Sequence, residues 1–485
     1  MSIQTSVRLL KHRRTKIVAT LGPASHDPGT IEDLARAGAD VFRLNFSHGS
    51  HEDHAAACRL VRAAAEKVGR PLAVLADLSG PKIRCGLFRE GKIELATGAR
   101  ITVTTRDVSG ESDLVPSQYA GLASDVGPGD RVLLDDGLIE LAVEGVKGTE
   151  IACRVVRGGT LRDRKGMNLP GIEVSAPSLT EKDREDARFA LSFGADFLAL
   201  SFVRRPADVE DLRALVRASG HGAAIVAKIE KPEALANIDG VLEAADAVMV
   251  ARGDLGVELP LEEVPVAQDE IVIRAREKEK PVIVATQMLE SMVEHGRPTR
   301  AEVSDVSHAV TSGADAVMLS AETASGAHPV LAVETMDRIV RQAESHLWRQ
   351  GAFGSIAAGS GEIPPPIPLN LAVARSTALL SRDLLVRAIV VLSSTGRSTR
   401  SVSSARPAAP IVAASPDAAT CRRNTLLWGA VPVKIEPGDL ADGPGLARKL
   451  ARDLCLAAPG ESVLLVRGFH EDPARNAPSV TVLAS

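Results

Sequence analysis

Four segments of the chain repeat one pattern of polar and apolar positions: AGADVFRLNFS (from Ala37), FGADFLALSFV (from Phe193), AADAVMVARGD (from Ala244) and SGADAVMLSAE (from Ser312). Each closes a helix on Gly or another small residue, passes through an Asp, runs a short apolar stretch and turns polar at its end. Gly just past a helix is the usual stop. An apolar run without alternation indicates a strand covered on both faces, as in a parallel sheet packed by helices. Filling the intervals yields eight such strands, starting near Thr15, Asp40, Pro71, Phe197, Ala223, Ala247, Pro281 and Ala316. Helical periodicity lies between them, as at 31–37, 209–217, 261–278 and 300–311. Eight alternations predict a (β/α)8 barrel, with a doubly wound open sheet as the alternative. Eight strands that all end in polar side chains favour the closed form.

The pattern breaks twice. Residues 86–176 read as alternating strands with Gly and Asp turns (KIELATGARITVTT, DRVLLDDGLIELAVEGV, EIACRVVRGG). An interruption this long is expected to fold by itself, here as a small β-barrel lid domain inserted at the rim where the strands end. Residues 351–368 (GAFGSIAAGSGEIPPPIP) have linker composition. Beyond them, 369–485 alternates helix and strand again and predicts a C-terminal α/β domain. The expected organisation is a leader at 1–14, a barrel from 15–85 and 177–350, the insertion, the linker and the C-terminal domain.

Composition narrows the function. Of 485 residues only one is Tyr, two are Trp and nine are Phe, too few for base-stacking platforms. A formal charge of −5 leaves no basic footprint for nucleic acid. The cluster KHRR (Lys11 to Arg14) reads as a solvated lead into the first strand. Five scattered cysteines show no CxxC or ligand-like spacing and suit free thiols inside a cell. No apolar run approaches a bilayer span and no signal-peptide core is present, so a cytoplasmic protein is expected.

Barrels of this kind carry their chemistry at the C-terminal strand ends. Those ends offer Arg43, Asn45, Ser47 and His48 after the second strand, and Asp77, Lys82 and Arg84 after the third. Ser201 follows the fourth, Lys228 and Glu230 close the fifth, and Arg252 with Asp254 closes the sixth. Thr286 with Gln287 and Ser320 with Glu322 complete the set. Residues two apart on a strand share a face, so Lys228 and Glu230 point one way. Glu230 and Asp254, from adjacent strands, suit a magnesium ion (or manganese), which takes one or two carboxylates and leaves positions for substrate. With Arg43, Arg84 and Lys228 around it, such an ion fits phosphoryl transfer by positioning and charge neutralisation. Taken singly, each pair reads as a rim salt bridge, and Thr286 or Ser320 as a helix cap. Their joint occurrence at these seven strand ends carries the reading. No Walker or GxGxxG motif is present, so a nucleotide would be held by side chains and the lid.

The motifs RRTKIVATLGPAS, RLNFSHG, DLSGPKIR, KGMNLPG, AKIEK, MVARGDLG, VIVATQMLESM, PTRAEVSDV and MLSAET occur in the order found in pyruvate kinases, and the chain closely resembles that family from Arg13 to about Arg338. The resemblance implies transfer of phosphate from phosphoenolpyruvate to ADP, giving pyruvate and ATP. It implies Glu230 and Asp254 as magnesium ligands, Lys228 at the transferring group and Arg43 on its phosphate. Gly253 and Asp254 amides would receive the substrate carboxylate. Thr286, with Ser320 nearby, would stand beside the proton delivered to the methylene carbon. Arg84, the lid residue Lys165, His48 and Asn45 would serve the nucleotide, and Asp136 would draw the lid shut. A homotetramer is implied as well.

Within DLSGPKIR the chain departs from potassium-dependent members, which carry an acidic residue at Lys82 and Thr at Leu78. Asn45, Ser47, Asp77 and position 78 outline a monovalent-cation site. A lysine ammonium there replaces the ion, so potassium independence is expected; a solvated rim lysine is the alternative. In the C-terminal region SSTGRSTRS resembles the family's effector-phosphate loop, implicating Ser393, Ser394, Thr395, Arg397 and Ser398, with a plain helix cap as the alternative. The effector would be phosphorylated, its identity open between fructose bisphosphate, a sugar monophosphate and AMP. Two other functions stay open: a metal-dependent lyase or aldolase handling the same acids, and a non-catalytic metabolite sensor.

Overall fold

The computed structural model describes residues 13–350 and 366–485, apart from 471, 473 and 475. Nearly all of the expected leader and linker therefore lies outside the described residues, as does part of the loop RGFHEDPARNAP. Eight parallel strands close into a ring in sequence order: β1 (Lys16–Thr20), β2 (Val41–Asn45), β3 (Ala73–Asp77), β4 (Phe197–Leu200), β5 (Ala224–Ile229), β6 (Ala247–Ala251), β7 (Val282–Ala285) and β8 (Ala316–Leu319), the last pairing with β1. The expected barrel is the observed one.

The strands are buried on both faces because alternate residues feed two cores. Val18, Val41, Leu75, Val226, Met249, Ile283 and Met318 fill the lumen. Ile17, Phe42, Val74, Ile225, Val248, Val284 and Val317 pack outward under the helices. Counting on by two from the lumen residues reaches Arg43, Asp77, Lys228 and Glu230. Strand parity thus aims these four side chains at the mouth of the barrel.

The repeated Asp has a structural job. Asp40, Asp196, Asp246 and Asp315 each precede an even-numbered strand, and each accepts the backbone N–H of the preceding strand. The donors are Ile17 (3.0 Å), Val74 (2.8 Å), Ile225 (2.8 Å) and Val282 (3.0 Å). The Gly before it ends the helix: Gly38 and Gly313 stand at φ 124° and 100°, where a Cβ would be strained.

The insertion contains a six-stranded sheet and a two-stranded ribbon (Lys92–Leu95 with Gly159–Arg162) around one core of Val103, Val132, Leu134, Leu141 and Ile151. Its ladders do not join into a single ring. The C-terminal region carries β9 (Ala388–Leu392), β10 (Ile411–Ser415), β11 (Ala430–Lys434), β12 (Ser462–Arg467) and β13 (Ser479–Ala484), in spatial order β11-β10-β9-β12-β13, with only β13 antiparallel. It docks on the barrel end opposite the mouth. There Arg406 bridges to Asp315 at 2.8 Å, Arg422 to Asp196 at 2.6 Å, and the Lys16 ammonium donates to the Ala430 carbonyl at 2.5 Å. The five cysteines are free thiols, and no described helix is long and apolar enough to cross a membrane.

Candidate active site

The cluster at the barrel mouth centres on Lys228. Its ammonium donates to Ser201 Oγ at 2.7 Å and lies 2.8 Å from Glu230 Oε1 and 3.4 Å from Asp77 Oδ1. Ser201 passes its own proton to the Leu78 carbonyl (2.7 Å), which leaves its lone pairs for the lysine. Asp77 is shared, for its other oxygen accepts from Arg43 Nε at 2.7 Å. Arg43 also reaches Thr20 Oγ1 at 3.2 Å. Burial alone would lower the affinity of Lys228 for its proton. Asp77, Glu230 and Asp254 outweigh it, so the ammonium holds its proton more tightly than an ordinary lysine. Burial likewise pushes Asp77 up, but Lys228 and Arg43 prevail and keep it ionised below the usual carboxylate range.

Glu230 is different. Burial raises its proton affinity, Lys228 only partly counters this, and Asp254 adds to it. One oxygen accepts from the Phe202 amide at 2.7 Å. The other, Oε1, is buried with no well-directed hydrogen bond despite its closeness to Lys228. A desolvated carboxylate oxygen, incompletely neutralised and electrostatically coupled to a second carboxylate, is a hard donor suited to a magnesium-sized cation. Among the described residues no three His, Cys, Asp or Glu side chains are arranged to hold a metal ion together.

Asp254 sits in the short helix Arg252–Glu258 that follows β6 directly. The dipeptide before it grips Thr286. Arg252 Nη2 donates to the Thr286 carbonyl at 2.7 Å, and the Gly253 amide donates to its hydroxyl at 2.9 Å. The hydroxyl in turn donates to the Ala285 carbonyl at 2.6 Å. Thr286 stands at φ 71° and Gln287 at φ 54°, a left-handed pair that is costly for a β-branched side chain. Arg252 is anchored by Asp305 at 2.6 Å. Ser320, capping the helix Ala321–Ala324, keeps a buried Oγ with no hydrogen-bond partner.

Other named residues lie further out. Lys82 approaches Asp254 at 3.8 Å, whereas Asp77 is taken by Arg43 and Lys228. Leu78 is buried in the outer core. Asn45 Oδ1 accepts from the Ser47 amide, and Ser47 and His48 are exposed. The two cations flanking the lid are held by the lid itself: Arg84 donates to the Arg164 carbonyl at 3.1 Å and Lys165 pairs with Asp135 at 2.8 Å. Asp136 has φ 53° in the turn beside it. In the C-terminal loop Ser393 Oγ accepts from the Gly396 amide at 3.0 Å, a local turn contact. Sequence reasoning passed over Thr20 and Asp305. Thr20 ends β1, where a lone hydroxyl after an apolar run does not stand out, and Asp305 lies inside a helix where nothing marks it.

The chain matches the family model "Pyruvate kinase, barrel domain" over residues 12–333 and "Pyruvate kinase, alpha/beta domain" over 371–482. A pyruvate kinase of Corynebacterium glutamicum is 45% identical over 464 residues, 94% of each chain. One of Mycobacterium tuberculosis is 53% identical over 334 residues, 69% of this chain and 71% of its own. One of Geobacillus stearothermophilus is 45% identical over 422 residues, covering 86% and 71%.

Proposed function

The chain belongs to the pyruvate kinase family, phosphotransferases acting on phosphoenolpyruvate and ADP, and on that premise we propose how its residues divide the work. The bond from phosphorus to the enol oxygen breaks and a bond from phosphorus to a terminal ADP oxygen forms. The enolate left behind takes a proton on its methylene carbon and becomes pyruvate. Glu230 and Asp254 would hold the divalent ion, which supplies Lewis-acid neutralisation of the phosphate and enolate oxygens when bound. Lys228 stays protonated against the transferring phosphoryl group, because Asp77 and Glu230 stabilise its charge. Arg43, fixed by Asp77 and Thr20, binds the substrate phosphate. The Gly253 and Asp254 amides receive the carboxylate.

Thr286 positions a water rather than donating its own proton, since its hydroxyl already serves Ala285 and Gly253. Ser320, with its Oγ free of protein partners, is the second polar group for that water. Arg84, Lys165, His48 and Asn45 meet the nucleotide when the lid approaches, with Asp136 drawing it in. Lys82, its ammonium 3.8 Å from Asp254, supplies the positive charge that potassium would bring to a site formed by Asn45, Ser47, Asp77 and Leu78. A homotetramer and response to a phosphorylated effector at Ser393, Ser394, Thr395, Arg397 and Ser398 complete the proposal, supported by family resemblance.

The observation that carries this reading is the buried Lys228 ammonium set between Glu230, Asp77 and Ser201 at the strand ends. A lactate-dehydrogenase-coupled assay tests it. Pyruvate release should require both ADP and a divalent ion; release without ADP would favour a lyase.

A further inference from the structure

The two carboxylates assigned to the divalent ion come from different elements, Glu230 from the end of β5 and Asp254 from the helix Arg252–Glu258 after β6. A helix of 7 residues is too short to hold its own position. Its first turn is fixed by Arg252, bound to Asp305 and to the Thr286 carbonyl. Its last residue, Glu258, is fixed by Lys231, whose Nζ lies 2.7 Å from Oε1 with the lysine side chain 10% and the glutamate 1% exposed. Lys231 directly follows Glu230. Pro232 keeps it extended, at φ −125° and ψ 143°, so its side chain leaves on the side opposite to that of Glu230. Glu258 stands one helical turn beyond Asp254. Chain and ion pair thus close a brace, Glu230 to Lys231 to Glu258 to Asp254, whose two ends are the metal ligands.

The pair is not the arrangement that best satisfies its own atoms. Burying an ion pair costs solvation that apolar side chains of like size would not lose. Oε2 of Glu258 is buried with no hydrogen-bond partner, and Oε1 receives besides Lys231 only the Asn168 amide of the lid, at 3.4 Å. The neighbouring cations are engaged elsewhere: Lys82 leans toward Asp254 at 3.8 Å, and Arg204 holds the Val174 and Ala176 carbonyls. Among the described residues Lys231 pairs with no other carboxylate. An idle buried oxygen beside a short charge-assisted contact marks a carboxylate placed by its partner and not by its own helix.

We propose, resting on the assignment of Glu230 and Asp254 as ligands, that Lys231 and Glu258 are positioning residues for the divalent ion. Their contact sets the separation at which both carboxylates reach one cation. Neither side chain touches the ion or the substrate.

Mn2+ titration of the full chain, followed by loss of the free-ion electron paramagnetic resonance signal, tests this without turnover. Lys231→Met removes a positive charge close to the site, so by charge alone it would leave cation binding unchanged or tighter. Loss of the brace should instead weaken Mn2+ about tenfold or more, and Lys231→Arg should recover most of that loss. In the coupled assay the defect should lie in the Mn2+ concentration for half-maximal turnover more than in kcat. Should Lys231→Met fail to fold, Lys231→Met with Glu258→Gln leaves no unpaired buried charge and carries the same comparison. Mn2+ affinity equal to or above that of the parent protein in the variant that folds would overturn the proposal. Glu230→Gln separates it from the ligand assignment. If Glu230→Gln loses Mn2+ while Lys231→Met binds normally, the positioning role alone falls; if Glu230→Gln binds Mn2+ like the parent, both fall.

Discussion

The Asp77 carboxylate lies between two cations, 2.7 Å from Arg43 Nε and 3.4 Å from Lys228 Nζ, at the mouth of the barrel. It fixes the position of both groups proposed to face the transferring phosphate. Replacing it with Asn keeps the shape and removes the charge, leaving two buried cations undercompensated. Breaking a buried pair of this kind costs about 3–5 kcal/mol. Asp77→Asn should therefore melt well below the parent protein and lose turnover about a hundredfold or more. A variant with parental melting and kcat would show that Asp77 organises nothing.

Thr286 offers a separable test of the protonation step. Thr286→Ser keeps the hydroxyl and should keep most activity, whereas Thr286→Ala should lose about a hundredfold in kcat. That loss should fall on exchange of the pyruvate methyl protons with solvent, followed by NMR. At φ 71° a Gly relieves strain, so Thr286→Gly should be inactive yet more stable than Thr286→Ala by about 1 kcal/mol.

Lys16, beneath the barrel, couples stability to pH. Burial outweighs the help of Asp40 and pulls its pKa down to about 8 from 10.5. Below about pH 8 both folded and unfolded states hold the proton and the group adds no slope. Between about 8 and 10.5 the unfolded chain binds more protons, so the contribution of Lys16 to stability rises with pH. Above that window both states are neutral and the slope vanishes. The unfolding free energy of the parent minus that of Lys16→Met should climb across this window; a flat difference would place a normally titrating lysine there.

The Lys82 ammonium stands 3.8 Å from Asp254. Turnover should persist when tetramethylammonium replaces potassium, and Lys82→Glu should create a potassium requirement. Loss of most activity in tetramethylammonium would remove Lys82 from that role.

The barrel was legible because one sentence, small residue, Asp, apolar run, polar end, is written four times. The structure explains its fixed letters, since each Asp closes a strand pair and two of the glycines adopt a left-handed turn. The Lys228–Glu230 pairing follows from strand parity alone. The partnership of Asp77 with both Arg43 and Lys228 does not. It depends on β2, β3 and β5 converging on one lumen, a relation between strands far apart in the chain. The same holds for the Arg252–Gly253 grip on Thr286, and for the destination of Lys82, whose side chain reaches Asp254 and not Asp77. Lid placement turns on long loops, where local pattern says little about direction.

The central claim is that the Lys228 ammonium neutralises the group in transit. Lys228→Met, of similar length and without charge, tests it most directly in a coupled assay run beside a magnesium-dependent phosphoenolpyruvate titration. Turnover should fall about a hundred- to a thousandfold while substrate binding stays measurable; turnover equal to that of the parent protein would contradict the account.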